Sequence, residues 1–471
     1  MTVTQSKTLF LTGGDRPAKA EYILFAVLTL AFGLLFTHPD LTETARHAYI
    51  LIRSTLDGDF FNFFENTLSR SYGYGYANAA HYNILMYLLY AVWELPLFLA
   101  ERLLGFEVGD AALALWCKPI GVGFYLGCGW LVRRLARQLA PQAAGWAALG
   151  FWLDPVCFFT TVIMGQYDSI CLFFVLWALC FYFEEKLWRF SLVMGAGLVF
   201  KFFPVFLLVP LLLLKEKRVW RLAGYGAAAL WLYLPTTLLF AGRNGDAGFF
   251  NGLMARRLFD PLTDTGRMDA ARFGLVMVVL CAAAYLLRPA REQLPRQSLY
   301  LCLAALCALF FIVEWHPQWL ILLAPFVLLT TLQQADHTLF FWLELLGGIG
   351  FLLVTAFGFP GQLEANLLTT GALPLVTGAP VYTGELRTLS FYYSLIPYFT
   401  DLAPLLFYGA LLCQVLFKLP LSGGSLADRL CCGKKEPLWS RARAWGYFLA
   451  AVCGFWLAPV LFSLAKTTGA L

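Results

Sequence analysis

Four polar features interrupt an otherwise apolar chain at points where a hydroxyl proton could be taken and a phosphate held. Asp40 lies three residues past the first apolar stretch. A polar island, Gly165-Gln166-Tyr167-Asp168-Ser169, separates two long apolar segments. Lys201 is embedded in Phe200-Lys201-Phe202-Phe203-Pro204, and Glu314-Trp315-His316-Pro317-Gln318 marks a sharp apolar-to-apolar junction. A carboxylate at such a boundary can act as general base toward an attacking hydroxyl. Lysine, histidine and the planar guanidinium groups of Arg256 and Arg257 form the complementary set, able to stabilise a departing phosphate.

Each residue also has a plainer reading. A carboxylate just beyond a span can cap a helix, but Asp40 is tethered at the mouth of the bundle, where a base would have to be. Asp57 and Asp59 are its reserves, although Asp57-Gly58-Asp59 also reads as a turn, and His81 is a further reserve in the same loop. Asp168 can cap the helix starting near Ser169 or, with Gln166 and Tyr167, bind an acceptor or a metal. An ammonium inside an apolar run costs about 2.5 to 3.5 kcal/mol to insert, so Lys201 needs a counter-charge, for which a lipid phosphate is the candidate and snorkelling the alternative. His316 either contacts the phosphate or leaving group, positioned by Glu314, or belongs to an interfacial aromatic belt with Trp315 and Trp319.

The elements that must position these groups are membrane helices. Sixty per cent of the 471 residues are apolar and 13% are charged, with a mean hydropathy of +0.69, values suited to a bundle of bilayer spans and not to a water-soluble core. The pattern predicts an all-α polytopic bundle of about 11 to 13 spans. The N-terminal segment carries Lys7, Arg16 and Lys19 without a small-residue cleavage site, so Glu21 to Thr37 reads as a retained first span with a cytoplasmic N-terminus. Lys and Arg clusters at 133–137, 186–189, 215–221, 288–296 and 418–443 all face the cytoplasm if two ambiguous segments do not cross. Tyr82 to Leu104 then belongs to a first external loop, residues 38–110, whose opening part has the spacing of a helix lying at the interface. Phe190 to Leu214 becomes two half-helices meeting near Lys201 to Pro204, because proline removes a backbone donor and disfavours helix before it. This threading gathers Asp40, Asp168, Lys201, Arg256, Arg257 and His316 toward the external face.

The net charge of +5 is distributed in short loop clusters and implies no nucleic-acid partner. Most of the twelve cysteines lie in apolar stretches and read as small hydrophobes; Cys431 and Cys432 occupy a basic loop as reduced thiols. No zinc spacing, Walker loop, dinucleotide fingerprint or nucleophile elbow occurs, so no nucleotide-sugar or ATP site is recognisable and a donor delivered within the membrane is favoured.

From Asp40 to the His316 segment, the ordered set resembles the GT-C superfamily of integral membrane glycosyltransferases, including GPI mannosyltransferases, protein mannosyltransferases and, more distantly, oligosaccharyltransferase catalytic subunits. The likeness is densest from Ala143 to Lys201, where a helix ends in Gly-Gln-Tyr-Asp and a further span leads to Lys-Phe-Phe-Pro. The resemblance implies a GT-C-like bundle and a polyprenyl-phosphate-linked sugar as donor. It makes Asp40 the first-loop base and Asp168 the second-loop acid, though a strict Asp-x-Asp falls at Asp57 to Asp59. The family contains members with and without a divalent metal, so metal dependence stays open and no cofactor is certain. Without a large soluble C-terminal domain, a glycolipid or cell-envelope glycan is the expected acceptor, in the bacterial plasma membrane in preference to the endoplasmic reticulum. Residues 1–332 form the expected catalytic module and 333–471 a variable C-terminal one. A transporter or flippase of a lipid-linked or anionic substrate, and a polysaccharide polymerase or ligase, are the alternatives.

Overall fold

The computed structural model describes residues 17–68, 80–241, 268–313, 315–358, 402–421, 424–430 and 441–452. It is an all-α polytopic helix bundle; among the described residues the only sheet is a two-stranded hairpin pairing Pro420–Leu421 with Gly424–Ser425. Helix α1 (Lys19–Leu35) and α2 (Pro39–Leu56) meet at 74°. After α3 (Phe63–Leu68) come α4 (Ile84–Leu104) and the long α5 (Asp110–Leu139). Helices α6 (Ala144–Trp152) and α7 (Pro155–Phe158) are followed by α8 (Asp168–Phe183), α9 (Leu187–Leu198) and α10 (Pro204–Lys215). Beyond them lie α11 (Val219–Ala229), α12 (Tyr233–Leu239), α13 (Met268–Leu286), α14 (Leu294–Ile312), α15 (Ala324–Thr331), α16 (His337–Gly358), α17 (Leu402–Phe417), α18 (Leu426–Leu430) and α19 (Arg441–Ala451).

Four described helices are long and apolar enough to cross a membrane, and seven if each of three bent pairs is one span; shorter apolar helices such as α8, α10 and α17 come in addition. Their outward faces carry bare apolar side chains, Ile23 and Leu30 at 64% exposure and Val219 at 74% among them, a surface that matches hydrocarbon and not water. Inside, one apolar core runs from Phe25 to Val452, with α8 at its centre against α5 and α9. The break expected around Lys201 is present: α9 ends at Leu198 and α10 begins at Pro204, which occupies the first helical position where its missing N–H costs nothing. At the ends of α8 and α5 the loop charges pair. Arg134 and Lys186 both reach Glu184, at 2.6 and 2.7 Å, and the Lys186 hydrogen bond, with Arg134, holds that carboxyl below its usual range.

One expectation needs correction. The start of the first loop does form a helix, α2, but it does not lie open at the interface. Its residues from Leu41 to Ile52 are almost all buried against α4 and α5, and Arg46 locks it there by donating to the Asp110 carboxylate at 2.8 Å and to the Val108 carbonyl at 2.6 Å. The small and hydroxylated residues Thr42, Thr44, Ala45 and Ala48 let neighbouring helices approach on the side that reads as polar, a known use of small residues in membrane packing. The Tyr72 to Tyr76 stretch and Cys431 and Cys432 lie outside the described residues.

Candidate active site

The site begins at the bend between α1 and α2. Pro39 opens α2 and His38 is its N-cap, the His38 Nδ1 accepting from the Asp40 backbone N–H at 3.3 Å. Asp40 thus stands in the first turn, where a helix end favours an anion, with its side chain 39% exposed. It is held from the other side by Gln166, whose Nε2 donates to Asp40 Oδ2 at 2.8 Å across 126 residues of chain. One turn further along the same face, Thr44 donates to the Tyr167 hydroxyl at 3.2 Å. Asp40 and Thr44 therefore grip successive residues of the polar island.

The island's shape follows from two local features. Phe159–Ile163 is a π-helical turn, and the Gln166 N–H reaches back to the Thr160 carbonyl at 2.9 Å; such turns recur at functional sites because they redirect side chains. Gly165 then adopts φ +77°, a conformation that strains residues with a Cβ. A Cβ there would also meet Leu41 Cδ2 of α2 at 2.9 Å. Glycine is what allows α2 to dock on the island.

Asp168 starts α8 and is 1% exposed at its side chain. Its counter-charge in this structure is Lys201, 3.4 Å away. The Lys201 ammonium also donates to the Tyr82 hydroxyl at 3.2 Å and lies over the Tyr82 and Tyr167 rings, 4.8 and 5.4 Å from their centroids. Asp168 lies within reach of the Asp40 charge, and Tyr82 within reach of the Lys201, Asp168 and Asp40 charges. The cluster is one electrostatic unit. Among the described residues no group of three or more His, Cys, Asp and Glu side chains is placed to hold a metal ion.

The remaining candidates divide. His316 stacks edge-on against Trp319 at 5.3 Å, and Trp319 against Phe203 at 5.0 Å, which places the histidine beside the Lys201 segment. Gln318, close to it in sequence, is buried, and among the described residues its side-chain oxygen has no partner. His81 packs on the Tyr82 ring at 4.3 Å. Asp57 and Asp59 lie at the far end of α2, roughly 25 Å from Asp40 at 1.5 Å per residue. Gly58 makes the expected turn between them at φ +75°, and Asp59 accepts from Asn62 and Asn66 at 2.6 and 2.8 Å. The structure does not bring this pair to the island. Glu314, Arg256 and Arg257 lie outside the described residues.

Sequence reasoning passed over Lys118, which is 3% exposed within α5. Its ammonium donates to the Phe36 carbonyl, freed at the end of α1, and to the Ile163 carbonyl at 3.1 Å, freed at the end of the π-helical turn. A cation suits two such helix C-termini at once, and this one ties together the segments leading to Asp40 and to Gln166. A lysine in an apolar run was the signal, the same one that singled out Lys201. Lys118→Met should lower turnover by up to about 100-fold through misplacement of the two segments, with a lower melting temperature. Steady-state kinetics beside a thermal melt will check this, and wild-type turnover would remove the positioning role.

Residues 81–313 match the family model of Glycosyltransferase family 87, a GT-C-type family of membrane glycosyltransferases. The chain is a membrane glycosyltransferase. The match spans Lys118, the Gln166-Tyr167-Asp168 island and Lys201, whereas Asp40 and His316 fall outside it. No curated protein matches the chain. The cluster sets a carboxylate that is 39% exposed close to the Asp168–Lys201 pair, with the Lys201 ammonium lying over the rings of Tyr82 and Tyr167.

Proposed function

We propose that this glycosyltransferase moves a sugar from a polyprenyl-phosphate donor to an acceptor hydroxyl on a glycolipid or cell-envelope glycan, at the external face of the membrane and with inversion. The observation that carries the reading is the Asp40–Gln166 contact at 2.8 Å, which sets a partly exposed carboxylate beside the Asp168–Lys201 pair. In this reading Asp40 takes the hydroxyl proton as the acceptor oxygen attacks the anomeric carbon, and the bond from that carbon to the phosphate oxygen breaks. The phosphate leaves with its negative charge held by Lys201 and His316, with Arg256 and Arg257 as further donors. Gln166 and Tyr167 hold the base and the sugar, Asp168 keeps Lys201 in place, and Glu314 positions His316. No step is assigned to a divalent metal. The N-terminus is cytoplasmic, and residues 333–471 serve packing and acceptor choice.

Purified full-length chain in lipid nanodiscs, given a polyprenyl-phosphate sugar and a lipid acceptor, should form product whose anomeric configuration is opposite to the donor's by NMR. Transfer from a nucleotide sugar alone, or retention of configuration, would overturn the reading. Orientation is tested separately by labelling cysteines placed at Glu107 and Gln138, which should react from opposite sides.

A further inference from the structure

An open-mouthed cavity of about 80 Å³ lies between the α6–α7 bend and helices α15, α16, α17 and α19. Its walls are mostly apolar, yet Asp154, Glu344, Gln414 and Tyr447 all reach it. Three of these are engaged: Asp154 caps the Cys157 N–H at 3.0 Å, Glu344 accepts from the Thr331 hydroxyl at 3.0 Å, and the Tyr447 hydroxyl donates to the Glu344 carbonyl at 3.1 Å. Gln414 is not. It is 2% exposed, and among the described residues neither its amide nitrogen nor its oxygen has a partner.

The nearby cation cannot serve it. Lys418, one turn further along α17, is taken up by the Val327 carbonyl and the hydroxyls of Thr330 and Thr331, at 2.8, 3.1 and 2.8 Å. A primary amide in apolar surroundings is expensive unless something pairs with it, and leucine would fill the same volume without that cost. An occupant is therefore expected to offer an apolar body and one group that both donates to the Gln414 oxygen and accepts from its nitrogen. A hydroxyl does both, while a fatty-acid carboxylate would meet the charges of Asp154 and Glu344.

We propose that this cavity binds a lipid bearing a free hydroxyl, held by Gln414. The site is independent of the transfer reading at Asp40. The probe is a long-chain alcohol carrying a diazirine, photolysed with the full-length chain in nanodiscs. Label should appear in the α15 and α17 peptides, be displaced by unlabelled long-chain alcohol and not by the matching fatty acid. Gln414→Leu should reduce labelling roughly tenfold through the lost hydrogen bonds while raising the melting temperature of the unliganded chain. Ala324→Phe, which fills the cavity from α15, should also reduce labelling if Gln414→Leu expresses poorly. Equal labelling of wild type and variants, displacement by the fatty acid, or no label in these peptides would overturn the proposal, the last of these pointing to water as the partner of Gln414.

Discussion

Asp40→Asn is expected to lower turnover by about 100-fold or more, the contribution typical of a positioned general base, while leaving donor binding intact. The substitution keeps the shape of the side chain, and the amide of Gln166 can rotate to face an asparagine as it faces the carboxylate at 2.8 Å. What is removed is the ability to take a proton. Asp57→Asn and Asp59→Asn should remain near wild type, since the turn they form is held within its own segment by Asn62 and Asn66. Normal turnover in Asp40→Asn with an inactive Asp59→Asn would place the base in that turn.

Lys201→Met is expected to weaken donor use by about 2 to 5 kcal/mol, the loss of a charge-assisted contact to a desolvated anion. The structure supplies a rival explanation that must be separated from it. Lys201 and Asp168 are buried together at 3.4 Å, and removing one partner of such a pair strands the other's charge at a cost of about 3 to 5 kcal/mol. The double variant Asp168→Asn with Lys201→Met removes both charges and should recover the melting temperature. Donor affinity measured in that background then decides the role. A persistent loss assigns Lys201 to the phosphate, whereas recovery would leave it only the partner of Asp168.

Much of the bundle was legible because spans are written in composition: an apolar run of spanning length has few other fates, and Pro204 after Lys201 announces a break. The Gly165-Gln166-Tyr167-Asp168 island stood out for the same reason, as polar groups where polarity is expensive. The charge pattern places Asp40 and the island on one face, but the contact of Asp40 with Gln166 is not legible in the sequence, because nothing local links residues 126 positions apart. The apolar run around Lys201 points to a lipid phosphate as counter-charge, whereas the structure pairs it with the Asp168 carboxylate, a pairing between helices that hydropathy does not encode. The π-helical turn leaves no compositional trace at all, and the burial of α2 was hidden because the threonines and alanines facing its neighbours look polar or neutral in sequence.

Three of the bonds that build the site reach far back along the chain, 82 residues from Lys118 to Phe36, 126 from Gln166 to Asp40 and 119 from Lys201 to Tyr82. Contacts this distant in sequence form late, and the chain emerges from its N-terminus onward. Lys118 must wait in the membrane until residue 163 arrives, and Asp168 until residue 201 does. During synthesis the nascent chain passes through a stage in which buried charges have been inserted and their partners have not. That interval, more than the finished protein, is where cellular quality control would act, and substitutions at Gly165 should show themselves first as reduced yield.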